Sequence, residues 1–156
     1  MKPLRPLSTR AETMVDQQGI MLADPTDGSI LGRNPVPPNA RLIYALATNS
    51  QSGLQQRYLP PHPVGEACLF GMDFSAVIAL GIGIVSGTLT IFTNVVPPVD
   101  VTASWTVGPV TVLGRALYAT LSGGVAGTDY QLRWAATDTQ GNVWPRWGLC
   151  LVAATS

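Results

Sequence analysis

Phe74-Ser-Ala-Val-Ile-Ala-Leu-Gly81-Ile-Gly83-Ile-Val-Ser-Gly87-Thr-Leu-Thr-Ile-Phe92 is the stretch whose reading decides the fold. It belongs to a run, residues 74 to 99, that holds no charged residue. A run of that length and apolarity raises the question of a membrane-spanning helix. Three glycines stand against a helix, each costing about 1 kcal/mol relative to alanine. Thr88-Leu89-Thr90-Ile91 alternates polar and apolar, which is the period of a strand. No Lys or Arg sits near either end to anchor a span. The stretch therefore reads as a glycine-rich connection running into a β-strand, and no membrane partner is expected.

Outward from this strand, the chain after Gly65 keeps the same character. Strands are expected near Ala67–Phe74, Ser86–Thr93, Val101–Val107, Val110–Leu113, Ala116–Ser122, Tyr130–Asp138 and Trp147–Ala153. The breaks between them suit turns: Pro97-Pro98, Gly108-Pro109, Ser122 to Gly127, and Thr139-Gln140-Gly141-Asn142. Seven short strands so spaced predict an all-β, immunoglobulin-like sandwich over 65–156. Period two assigns the faces. Tyr130, Leu132, Trp134 and Ala136 share one, and Leu117, Ala119 and Leu121 another. The last strand is apolar on both sides, with Trp147, Leu149 and Leu151 opposite Cys150 and Val152, so it needs cover from elsewhere. Gly127-Thr128-Asp129-Tyr130 suits a tyrosine corner at the start of its strand.

The chain before Gly65 is different. Nine of its thirteen prolines lie there, too many for a helix of any length. Residues 1–64 are expected to form a long, extended, Pro-rich N-terminal arm. Ala11–Gly19 suits a short helical turn, and Ala40–Thr48 a strand or short helix. Leu42, Ile43, Tyr44 and Tyr58 stand among apolar anchors too numerous for a solvated linker. Fixing each backbone residue costs about 1–2 kcal/mol. The arm is accordingly expected to be disordered alone and to order when docked on neighbouring subunits.

Lys and Arg total nine, as do Asp and Glu, and charged residues are 12% of the chain. That is about half the usual share. Nucleic acid is an unsuitable partner, because phosphate binding requires surplus cations. Low net charge favours association instead. Met1-Lys2-Pro3-Leu4-Arg5-Pro6 lacks an apolar h-region, so no secretory signal is expected.

Few residues point to chemistry. Cys68 and Cys150 can tie the first strand to the last, but two buried free thiols suit a reducing cytoplasm better. Two Cys and one His do not make a four-ligand zinc site without carboxylates, and no metal or cofactor is expected. His62, in Pro60-Pro61-His62-Pro63, has no nameable orienting partner and reads as a solvent-exposed or interface residue. Gly81 to Gly87 misplaces the third glycine of a dinucleotide loop and runs into a strand. Asp73 reads as a cap accepting backbone N–H bonds near Ser75. Trp105, Trp134, Trp144 and Trp147 with Arg133 and Arg146 are the stacking candidates. Trp134 reads as core. Trp144-Pro145-Arg146-Trp147 reads equally as an interface hot spot or as the start of a core strand.

Three pieces together carry a family resemblance: Phe70-Gly-Met-Asp73-Phe74-Ser75, then Ile84-Val-Ser86-Gly87-Thr88-Leu89-Thr90-Ile91, then Leu121-Ser122-Gly123-Gly124-Val125-Ala126-Gly127-Thr128-Asp129-Tyr130. The last leads into Thr137-Asp138-Thr139-Gln140-Gly141 and an apolar closing strand. From about Val64 onward the chain resembles the small fiber-tail adaptor proteins of tailed bacteriophages. The resemblance implies a short sandwich in the tail or neck of a virion, assembled in the host cytoplasm, with no catalytic residues. It implies other virion proteins as partners (tail, neck, portal-adaptor or fiber subunits) and many copies in a symmetric ring. The alternatives are a capsid or tail decoration protein, or a module gripping host glycan through Trp144 and Trp147. An enzyme is not expected, since no nucleophile, base and orienter set is present.

Overall fold

A computed structural model describes residues 35–47 and 55–154. Its strands are β1 Arg41–Tyr44, β2 Gln56–Arg57, β3 Cys68–Asp73, β4 Ile84–Thr93, β5 Thr106–Val107, β6 Thr111–Leu113, β7 Ala116–Ser122, β8 Asp129–Asp138 and β9 Val143–Leu151. The fold is all-β, with two mixed sheets facing one core. One sheet runs β1-β3-β7-β5, with β6 also on β7, and the other runs β2-β9-β8-β4. β1 lies parallel to β3 and β2 parallel to β9, while the remaining pairs are antiparallel.

Period two builds the core as the residues dictate. Phe70 and Met72 of β3 and Leu117, Ala119 and Leu121 of β7 meet Ile91 of β4 and Leu132, Trp134 and Ala136 of β8, all buried. The uncharged run through residue 92 resolves as a turn and then the ten-residue strand β4. Among the described residues, no helix is long and apolar enough to cross a membrane. Asp73 Oδ1 accepts the Ser75 N–H at 2.7 Å, so its carboxylate closes the bend into Phe74–Ile78. Val125 N–H donates to the Tyr130 hydroxyl at 3.1 Å, the tie of a tyrosine corner.

Three expectations need correction. Val101–Val107 is not one strand. Asp100 Oδ1 accepts bonds from Thr102 N and Oγ1, and Thr102 Oγ1 accepts from Ile91 N, so Thr102–Ser104 closes into a 3-10 turn against β4. The closing strand starts at Val143 rather than Trp147, and it contains Pro145. In an antiparallel ladder each residue's N and O point to the same side. Leu149 O and Leu151 O point away from β8, to Tyr58 N and His62 N. The ring nitrogen of Pro145 therefore also faces away from β8, where no ladder bond is required of it.

The third correction concerns the arm. Residues 35–47 and 55–64 do not stand apart from the sandwich. β1 closes one sheet and β2 the other, and Ile43, Ala45, Tyr58 and His62 are buried in the shared core. The apolar anchors find their shelter on the same chain, and that burial offsets the entropy of ordering them. This segment supplies part of the cover that the closing strand needs. The anticipated helical turn at residues 11–19 lies outside the described residues.

Candidate functional site

The outward face of the second sheet carries the most distinctive surface. Arg133 of β8 lies opposite Trp147 of β9, and Thr90 and Phe92 of β4 share that face. The rings of Phe92 and Trp147 are 5.4 Å apart at 49°, and the Arg133 guanidinium lies 5.8 Å from the centre of the Trp147 ring. Pro98 and Pro145 complete a shallow concavity with them. The connection leaving β4 adds Val95, Val96 and Val99, all exposed, with Val96 at 98%. Aromatic rings stacked with a guanidinium beside aliphatic surface are the composition of protein-binding patches.

Strand alternation splits Trp144-Pro145-Arg146-Trp147. Trp147 joins the outward patch, whereas Trp144 pairs with Ala136 and packs against the core. Trp144 Nε1 donates to Asp138 Oδ2 at 2.9 Å. Asp138 also accepts bonds from Gln140 N, Asn142 N and Asn142 Nδ2. The Trp144 bond, followed by the Asn142 and Gln140 donors, holds its carboxyl down at about 2 against the cost of burial. One carboxylate thus locks the β8–β9 turn. Arg146 shares the inward side, its guanidinium 6.0 Å from the Trp144 ring and Nη1 donating to Pro145 O at 2.7 Å. Burial lowers its pKa.

The other candidate interface residues also separate. Tyr44 is 49% exposed and Leu42 is half-buried, but Ile43 packs inward and Tyr58 is 1% exposed. Trp134 Nε1 donates to the Tyr58 hydroxyl at 2.7 Å, and the Tyr58 and Phe70 rings meet edge-on at 5.2 Å. Burial pushes the Tyr58 phenol well above its ordinary pKa, with the Trp134 bond acting in the opposite direction. Ile43 and Tyr58 are core residues of this chain and do not offer free docking surface. Residue type alone misled here, because an anchor for a neighbour and an anchor for the chain's own core look alike.

His62 is a further correction. It is fully buried, between the rings of Phe70 and Trp105, each 5.5 Å away. Cys68 and Cys150 are both buried thiols, and burial pushes Cys150 up to about 12. Among the described residues no group of three or more His, Cys, Asp or Glu is placed to hold a metal ion. Sequence reasoning missed Phe92 and Pro98. The alternation that sends Ile91 inward was the signal for Phe92, whereas nothing local marked Pro98. No protein-family model, curated protein or solved structure matches this chain.

Proposed function

We propose that the protein is a structural component of a tailed-bacteriophage virion, a fiber-tail adaptor or a neck or tail component, with an immunoglobulin-like sandwich. The strand order supports the immunoglobulin-like reading. β1-β3-β7-β5 and β9-β8-β4 follow the layout of a four-stranded and a three-stranded immunoglobulin sheet. β2 then stands as the second half of a divided first strand. The parallel pairing of β1 with β3 departs from that layout.

The observation that carries the functional reading is the outward patch of Phe92, Arg133 and Trp147 beside the exposed valines at 95, 96 and 99. A chain with so few charges gains most by covering such a surface with another subunit. Residues 1–34, outside the described residues, take the docking role on neighbouring subunits. Many copies in a ring then hold one another through effective concentration, each contact remaining weak.

The test is incorporation into particles. Val96→Asp and Phe92→Ala should purify folded yet fail to enter the virion, and removal of residues 1–34 should destabilise the particle. Normal incorporation and particle stability in all three would refute the assembly reading. If Trp147→Ala gives intact particles that no longer adsorb to cells, the patch is a glycan site and the assembly reading fails there.

A further inference from the structure

We infer that His62 is an acid-sensitive latch: uptake of a proton by its imidazole releases residues 55–64 from the sandwich. The segment is held by backbone bonds at its two ends. Tyr58 N donates to Leu149 O at 2.8 Å, His62 N to Leu151 O at 2.8 Å, and Ala153 N to His62 O at 2.7 Å. The imidazole sits at the second of these points, fully buried between Phe70 and Trp105. Both ring nitrogens are buried without a well-formed hydrogen bond among the described residues, the Gly123 backbone being a weak polar neighbour. The site suits a neutral ring better than a cation.

The charges around it strengthen that preference. Arg41 of β1 donates from Nε to Pro60 O at 3.0 Å and lies over the Phe70 ring, so a second cation already occupies this corner. Burial first, and Arg41 second, hold the His62 pKa below its ordinary value, while the Gly123 backbone and Glu66 act more weakly in the other direction. Of the remaining titratable groups nearby, Cys150 stays neutral, Cys68 is a buried thiol, and Asp129 is ion-paired with Arg57 at 3.0 Å. The Tyr130 hydroxyl, next to Trp105, is held by Val125 N. His62 is the one histidine of the chain, and no other side chain ordinarily changes charge between pH 5 and 8.

With the latched pKa lowered, the released state binds the proton more readily below pH 6.5. Latching is therefore fully present above that pH and weakens as pH falls. The release equilibrium grows by up to about tenfold per pH unit, until the latched ring itself takes up the proton.

Hydrogen exchange on the full chain, corrected for intrinsic rates, tests this at the amides of Tyr58, His62 and Ala153. Their protection should fall by up to about tenfold per pH unit below 6.5, while that of Trp134 holds. In His62→Phe, which fills the same aromatic slot, the three amides should show no such fall. Should that variant not fold, His62→Gln serves the same comparison. Constant protection in the wild type from pH 7 to 5, or the same fall in the variant, overturns the inference. So does a wild-type ring that titrates at 6.5 or above by NMR.

Discussion

Truncating Tyr58 to alanine asks most directly whether the proline-rich segment belongs to this chain's own fold. The ring fills space between the sheets that β9 leaves by carrying glycine at 148, where a Cβ would collide with Ile43 and Tyr58. It also packs on Phe70 and receives the Trp134 indole N–H. Emptying such a site costs about 3–5 kcal/mol, a large part of the 5–15 kcal/mol typical of a domain. At about 4 °C per kcal/mol, melting should drop by about 12–20 °C. Tyr58→Phe keeps the packing but leaves the Trp134 donor buried and unpaired, a loss of about 1–3 kcal/mol. Urea unfolding of the purified protein, followed by Trp fluorescence, should rank wild type above Tyr58→Phe and Tyr58→Phe above Tyr58→Ala. If Tyr58→Ala lies within about 0.5 kcal/mol of wild type, residues 55–64 do not belong to the isolated fold, and the structural correction fails.

Two further outcomes follow from particular residues. Asp138 is held at about 2 in the folded state, below its ordinary 3.8, so its stabilisation is present above about pH 4 and is lost as pH falls toward 2. Asp138→Asn should therefore unfold earlier than wild type at pH 6 and converge with it near pH 2, as urea titrations at the two pH values would report. Gly124 and Gly81 both adopt positive φ, +89° and +85°, but a Cβ meets Trp105 and Val152 at the first and open space at the second. Gly81→Ala should cost about 1 kcal/mol of backbone strain, and Gly124→Ala about 1–3 kcal/mol more from overpacking, a difference that thermal melts would resolve.

The sandwich was legible where neighbouring residues decide the outcome. Alternation placed β7 at Ala116–Ser122 and drew the inward row of β8 correctly, because one buried face imposes period two on its own strand. It did not reveal Pro145 inside β9, since tolerance of that ring depends on which side the partner strand lies. The same limit hid β2 and the place where β1 docks, although Ala40–Thr48 was read as a strand or short helix. Each is short, and each pairs in parallel with a strand distant in sequence, so local pattern carries almost no trace of that pairing. Counting prolines implied an extended path, and among the described residues 41–44 and 56–57 do run as strands, but composition holds no information about whose surface they follow. The candidate patch was half legible. Trp147 and Arg133 were visible as residue types, while their meeting with Phe92 depends on register across three strands.

Closing both sheets with pieces of one segment makes the two flanks of the domain unlike. Along the first flank lie β1, four residues, and β2, two residues, bearing Arg41 and Arg57 and bordered by prolines. Such a rim is a poor template for a stranger's backbone. The opposite flank presents β6 and the uncharged first half of β4, whose second half alone is bonded to residues 99–102. Among the described residues, the two margins thus differ in what they offer another backbone. A stack through open rims needs two receptive ones, and the short, proline-bordered rim works against it.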